Sequence, residues 1–337
     1  MHKGLNGLMC KRRRGGSTEP TTWTKRQNAD HILYDLAYDG STNWVVSGCD
    51  GIYKSATPAS SWTWVSNIPC PYTDAEDRLQ KAIMHDGTNF ICTAWEYPEN
   101  HIYSCTDPTS WTSRDLDPYS NYACSIASNG TSYYAAICRY TGTGAWSTIT
   151  ATSVSGTWTT NSNVMSVAAL GAASFVNTIA YGNSQWVATG YTQASPYYGK
   201  IAYCDNADPT NSWSLNSSHS ITNQIYNVAY GNGYWVAVGW ITGTSTPVLA
   251  ITQDPTGTWT NHTTTPPFTS TPRGIHYANE TWVAVGNNGE ICTCGKNPTG
   301  IWTRRLQVGS DAFTKVSYGN NLWVAIGTAG IYTAPVV

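Results

Sequence analysis

The chain has 337 residues, of which only 11% are charged and 12% are aromatic, with 16 Trp and 22 Tyr against 4 Phe. That charge content is well below the roughly 25% usual in soluble domains, so Ser, Thr, Asn, Gly and Tyr must cover much of the surface. The formal net charge of −2 is uneven: residues 1–19 hold Lys3, Lys11, Arg12, Arg13 and Arg14 against Glu19, leaving 13 basic and 19 acidic residues beyond them, and an acidic body argues against nucleic-acid binding.

From the N-terminus, Leu5, Leu8, Met9 and Cys10 do not make the apolar stretch of about 7–15 residues that an export signal needs. No segment reaches about 18 continuous apolar residues, so no transmembrane helix is expected. The run Lys11, Arg12, Arg13, Arg14 before Gly15-Gly16 reads as a flexible or docking arm over 1–19, suited to an acidic partner subunit. Ten cysteines without a CxxC pair read mostly as small buried hydrophobes in a chain that folds in a reducing cytosol.

Beyond the arm, one motif returns seven times: a turn, then an aromatic and a short apolar run. Its anchors, Trp44, Phe90, Tyr134, Trp186, Trp235, Trp282 and Trp323, are separated by 46, 44, 52, 49, 47 and 41 residues. Such a period, about 40–50 residues, fits a four-stranded propeller blade. Ahead of the anchors, Asp39-Gly40, Asp86-Gly87, Asn129-Gly130, Gly182-Asn183, Gly231-Asn232, Gly319-Asn320 and the weaker Ala278-Asn279 supply hairpin turns. A second marker, Trp-Thr or Trp-Ser, occurs at Trp23, Trp62, Trp111, Trp158, Trp213, Trp259 and Trp302. Trp23 precedes the first anchor, and no counterpart follows the last. The segment Thr22–Arg26 is therefore expected to pair beside Ile331–Thr333 and close the ring.

The expectation is an all-β, seven-bladed propeller with four antiparallel strands per blade, spanning 20–337. The blades fall at about 31–66, 79–115, 122–162, 175–216, 224–262, 272–306 and 312–334, the last completed by 20–28. Gly48, Gly190, Gly239, Gly286 and Gly327, after the apolar runs, are expected where blades approach closely.

The links between third and fourth strands, such as Thr252-Gln253-Asp254-Pro255-Thr256-Gly257-Thr258-Trp259, resemble the Asp-box of sialidase-type propellers, and Asp107-Pro108, Asp208-Pro209 and Asn297-Pro298 carry partial copies. The resemblance implies a structural turn and no catalysis. The arginine set of a sialidase is not evident, since Arg26, Arg114, Arg304 and Arg305 follow Trp-Thr markers on outer strands; Arg78, Arg139 and Arg273 are the others of the propeller. The whole repeat, Tyr-Gly-Asn-x-x-Trp-Val-Ala-Val-Gly followed by a Gly-x-Ile strand and Gly-Thr-Trp-Thr, is similar to propeller proteins frequent among tailed-bacteriophage virion genes, over about residues 20–337. The likeness implies a tail, fibre or head-decoration component, made in the host cytoplasm and located in the virion. A photosystem-assembly propeller of bacterial origin is similar too, although such proteins usually carry an export signal.

The seven His show no HxxxH or HxH spacing, and no phosphate loop of the Gly-x-x-x-x-Gly-Lys type occurs, so no metal or cofactor is expected. His85 and His276 read as repeat-equivalent residues of first strands, in the core or the tunnel. Blades two to five have long links between second and third strands, all on one face, carrying Trp95, Tyr97, Tyr140, Trp146, Tyr191, Tyr197, Tyr198 and Trp240. Long loops on a rigid scaffold commonly bind, and Tyr and Trp suit sugars or protein partners. The expected function is a non-enzymatic particle component that contacts other virion proteins through the arm or one face and host-surface glycans through these loops. A free lectin-like propeller is the alternative, and a sialidase-like hydrolase a third. No nucleic-acid contact through the body and no membrane insertion are expected.

Overall fold

A computed structural model describes residues 19–28, 32–48, 51–65, 82–96, 99–115, 120–131, 134–140, 146–161, 174–192, 198–216, 218, 224–241, 246–262, 268–309 and 311–336. Their hydrogen bonds define seven four-stranded antiparallel sheets. In blade five the strands follow chain order: Gln224–Gly231, Tyr234–Ile241, Thr246–Thr252 and Thr260–Asn261. The first strands of the sheets form an inner ring: Leu33–Tyr38, Ala82–His85, Ser120–Ser128, Ser174–Gly182, Gln224–Gly231, Pro272–Ala278 and Phe313–Gly319. Each lies against the next, and Leu33–Tyr38 packs against Phe313–Gly319, so the ring is closed.

Closure is chemical as well as spatial. The outer strand of the last sheet is Thr24–Gln27, with Thr24 opposite Thr333, Lys25 opposite Tyr332 and Gln27 opposite Ile331. Trp23, 8% exposed, sits in the cluster formed by Phe313, Val316, Trp323, Tyr332 and Ala334. Arg26 Nε donates to Thr333 Oγ1 at 2.9 Å. Upstream, Glu19 Oε2 accepts from Thr293 Oγ1 at 2.7 Å and from Arg305 Nη2 at 2.5 Å, which ties the incoming segment to blade six as well.

Second strands are buried on both faces because each sheet is sandwiched between neighbours; Thr281–Gly286, for instance, is buried throughout. Each anchor Trp stacks on the Tyr opposite it on the first strand, as in Tyr38–Trp44, Tyr181–Trp186, Tyr230–Trp235, Tyr277–Trp282 and Tyr318–Trp323, at centroid separations of 4.8–5.0 Å. Five outer-strand Trp side chains donate their indole N–H to the carbonyl of the preceding turn proline: Trp62 to Pro58, Trp111 to Pro108, Trp213 to Pro209, Trp259 to Pro255 and Trp302 to Pro298. In the same turns Asp107, Asp208, Asp254 and Asn297 accept backbone N–H groups two residues on. The Asp-box-like element is thus a structural brace, a turn with its side-chain cap holding a Trp. Trp158 has no proline before it, whereas Trp23 follows Pro20 at the spacing of Trp111 from Pro108; the buried indole nitrogens of both have no partner among the described residues.

The hairpin turns use two chemistries. In blades one to three, Asp39, Asp86 and Asn129 cap the turn by accepting from Ser41, Thr88 and Thr131. In blades four to seven both central residues have positive φ (Asn183 and Ser184, Asn232 and Gly233, Asn279 and Glu280, Asn320 and Asn321), the signature of a two-residue type I′ turn.

That places the turns one residue later than expected and gives the glycines before them another task. A Cβ on Gly182, Gly231 or Gly319 would stand 2.2–2.3 Å from the ring of Tyr230, Tyr277 or Tyr38 in the next blade. These are the close blade contacts. The glycines expected in that role behave differently: a Cβ on Gly239, Gly286 or Gly327 would meet the backbone oxygen of Gln224, Thr271 or Ala312, within the same blade. Cys92, Cys105, Cys204, Cys292 and Cys294 are buried free thiols, and burial pushes that of Cys204 up to about 11.

Candidate functional site at the channel mouth

The first strands carry an irregularity at one repeat-equivalent place. Pairing with the second strand slips between Leu33 and Asp35, Val176 and Thr178, Ile225 and Asn227, Pro272 and Gly274, and Phe313 and Lys315. A slip also falls between Asn121 and Ser125 in blade three. One extra residue per strand is left out of the ladder: Tyr34, Asn177, Tyr226, Arg273 and Thr314. A bulge of this kind re-aims side chains and frees backbone groups.

The freed groups are taken up by the neighbouring blade, always in the same rotational sense. Cys124 Sγ donates to Val176 O at 3.0 Å, Asn177 Nδ2 to Ile225 O at 2.7 Å, and Thr314 Oγ1 to Leu33 O at 2.7 Å. One residue further along, Ile83 N–H donates to Asp35 Oδ2 at 3.2 Å and Ile179 N–H to Ser125 Oγ at 3.0 Å. A belt of inter-blade bonds therefore lines the inside of the ring and crosses the seam between blades seven and one.

Tyr34, Asp35, Cys124, Ser125, Asn177, Thr178, Tyr226, Asn227, Arg273, Thr314 and Lys315, with Tyr191 from the second strand of blade four, line a cavity of about 350 Å³. Six blades contribute, which puts it on the ring axis. Leu33 pairs with Gly48 and Pro272 with Gly286, so this end of the first strands is the end where second strands turn into third strands. The cavity is the channel mouth on the face of the long hairpins.

Two cations and one acid are among its described lining residues. Asp35 is held from three sides: by the N–H of Leu36 at 2.9 Å, by that of Ile83, and by Lys315 Nζ at 3.3 Å. Burial pushes its carboxyl above the ordinary range, and Lys315 and the two amides counter only part of that. Arg273 lies over the ring of Tyr226, its guanidinium carbon 4.1 Å from the ring centre, and its Nε donates to Asn287 Oδ1 at 3.2 Å. Tyr226 Oη donates to Gln224 Oε1. Burial raises its phenol, with Arg273 pulling the other way.

The two histidines are not equivalent. His85 pairs with Phe90, the place Tyr277 holds against Trp282, whereas His276 pairs with Val283. A one-residue offset on a strand reverses the face. His276 accordingly faces blade seven, its ring edge-on to Trp323 at 5.9 Å, where other blades have Ala37, Ala180 or Ala229. Burial, and then Lys315, bring its imidazole down to about 4.

Because the unfolded imidazole protonates near pH 6.5, this contribution to stability is complete above that pH and is lost progressively towards about 4. Asp35, with its raised pKa, contributes in the opposite direction. His276→Ala is therefore expected to lose less melting temperature than the parent between pH 7 and 4.5, a difference that differential scanning calorimetry would read. Equal losses would contradict it.

Of the aromatic residues expected on the long loops, Tyr191 joins the cavity lining. Tyr198 is 50% exposed, its amide bonded to Thr192 Oγ1 at 2.8 Å. Much of what read as loop is ladder. Trp95 pairs with Asn100, Tyr140 with Ser120, Trp146 with Arg139, Tyr191 with Gly199, and Trp240 with Pro247. The hairpins of blades two to five are taller because pairing continues past the level of Gly48. Tyr97, Tyr197 and the arm residues Lys11, Arg12, Arg13 and Arg14 lie outside the described residues.

No protein-family model matches the chain, and no curated protein sequence matches it. Solved structures do. YCF48 from Cyanidioschyzon merolae is 10% identical with a TM-score of 0.67, over 93% of this chain and 98% of that one. The GH74 xyloglucanase from Xanthomonas campestris is 11% identical with a TM-score of 0.69, over 93% of this chain and 53% of that one. The WD40 propeller domain of Doa1 is 10% identical with a TM-score of 0.63, over 93% and 95%. The chain is a β-propeller. At these identities the likeness of this propeller to its neighbours extends to the fold alone.

Proposed function

We propose that this propeller is a non-enzymatic binding component that meets its ligand on the face carrying the channel mouth. The observation that supports this most strongly is the convergence of inner strands from six blades and the tall hairpin of blade four, through Tyr191, on one polar cavity. Polar groups placed on a rigid ring, with Tyr34, Tyr191 and Tyr226 among them, suit a hydroxylated ligand, and we assign a surface glycan to it. Glycoside hydrolysis generally needs two carboxylates flanking the bond. Asp35 is the acid among the described lining residues, and it is committed to Lys315 and two amides.

We place the protein on a tailed-phage particle as a tail, fibre or head-decoration component. The likeness of its whole repeat to virion propellers supports this, and its basic residues 11–14 suit docking on an acidic subunit. A free lectin is the second reading, favoured by the same cavity. A glycan array tests the binding reading. The parent protein is expected to bind a restricted set of glycans, and Tyr191→Ala to weaken that binding at least tenfold, about the loss of one stacking contact with its hydrogen bond. A blank array, or binding indifferent to Tyr191, would overturn it. Turnover of a chromogenic glycoside would return the hydrolase, and consistent absence from purified particles would remove the virion assignment.

A further inference from the structure

Arg273 is placed for more than structure. It is the extra residue of a bulge, so its side chain is turned out of the ladder and towards the cavity. The ring of Tyr226 fixes the guanidinium plane from one side, and Asn287 takes up Nε. Among the described residues no carboxylate pairs with it, whereas its cationic neighbour Lys315 is neutralised by Asp35 at 3.3 Å. The cavity thus has one spent cation and one unspent one. A guanidinium whose Nε is occupied and whose plane is pinned still offers its Nη donors as a fork, the geometry that grips a carboxylate in two parallel bonds.

Its setting is tight. A Cβ on Gly274, the next residue, would stand 2.7 Å from the backbone oxygen of Thr314 in blade seven, so the inner strands of blades six and seven approach backbone to backbone at this point. Arg273 therefore sits on a fixed edge of the mouth. Asn177, Thr178 and Asn227 line the same cavity and suit hydroxyl groups.

We propose that the channel mouth binds the carboxylate of an acidic sugar, with Arg273 as the carboxylate receptor. The inference rests on the glycan-binding reading and adds the chemical class of the sugar. Arg273 and Lys315 differ in role: the first faces the ligand, and the second holds Asp35 and the seam between blades seven and one.

The test is isothermal titration with two probes of matched ring and size, methyl glucuronide and methyl glucoside, against the parent, Arg273→Gln and Arg273→Lys. The parent is expected to bind the acid at least tenfold more tightly than the neutral sugar. Arg273→Gln is expected to reduce affinity for the acid by about 10- to 100-fold, the range for hydrogen bonds to a charged group, while leaving the neutral sugar unchanged. Arg273→Lys, which keeps the charge and loses the fork, is expected to recover only part of the affinity. Melting temperature monitors folding of each variant. Equal binding of both probes with no effect of Arg273→Gln would overturn the carboxylate assignment and leave the glycan reading standing. Binding of neither probe would overturn the carboxylate assignment, with the glycan reading then judged by the array.

Discussion

Trp23→Ala is expected to destabilise the whole ring by about 3 kcal/mol, the lower end for removing a large buried side chain, and so to lower the melting temperature by roughly 4–5 °C in a propeller of this size. Trp23 is remote in sequence from everything it packs on, yet it shares a cluster with Phe313, Trp323 and Tyr332. The effect should exceed that of an outer Trp elsewhere for a topological reason. In the other blades the outer strand is attached to its sheet by a short turn, whereas Thr24–Gln27 is held only by pairing with Gly330–Pro335 and by side chains. Deleting residues 1–27 should cost more still, because it also removes the ladder and the Glu19 contacts with Thr293 and Arg305. A peptide of residues 19–28 added in trans is expected to restore part of the loss. Calorimetry of the parent, Trp23→Ala and the deletion would check this, and a deletion that melts like the parent would contradict it.

Gly231→Ala is expected to destabilise the protein by about 3 kcal/mol through overpacking. The added methyl would lie 2.3 Å from the Tyr277 ring, which is itself stacked on Trp282 and has little freedom to retreat. Backbone conformation is not the obstacle there, which separates this glycine from Gly40. At Gly40 φ is +80° with nothing within 4 Å, and Gly40→Ala should cost about 1 kcal/mol from the left-handed conformation alone. The steric account makes a further demand: adding Tyr277→Ala to Gly231→Ala should cost less than the sum of the two single changes. Denaturant titration of the four proteins completes the cycle. Additive losses would mean that the two residues do not meet.

The ring itself was legible because its signals are local and repeated. Hairpin residues, anchor Trp and outer Trp recur in fixed phase, and the misplaced phase of Trp23 pointed to its pairing with the C-terminal strand. The structural turn before the outer Trp was legible for the same reason, while the bond from the indole N–H to the proline carbonyl was not. The channel mouth was not, although a trace of it is present. Leu33-Tyr34-Asp35-Leu36, Val176-Asn177-Thr178-Ile179, Ile225-Tyr226-Asn227-Val228 and Phe313-Thr314-Lys315-Val316 each put apolar residues three apart. Strict alternation sends such a pair to opposite faces, yet the two members of each pair share one core cluster, which the bulge between them makes possible. The residues of that bulge are the ones that line the cavity.

Other features escaped because they depend on distant partners. Nothing local to Gly182 or Gly231 tells that a tyrosine one blade away needs the space. The tall hairpins of blades three to five look like loops in sequence because Gly, Ser and Thr are frequent in them, yet cross-strand pairing carries Tyr140 and Trp240, as it does Trp95 in blade two.

Hydrogen–deuterium exchange of the amides of Thr24–Gln27 bears most directly on the closed ring, and the ring is what brings Thr314 and Lys315 beside Leu33 and Asp35 to complete the mouth. These amides are expected to exchange as slowly as those of Ile331–Thr333, which share their ladder, and to open together with them. Exchange of Thr24–Gln27 on the timescale of a free chain, with Ile331–Thr333 still protected, would contradict the closure and with it the cavity built across the seam.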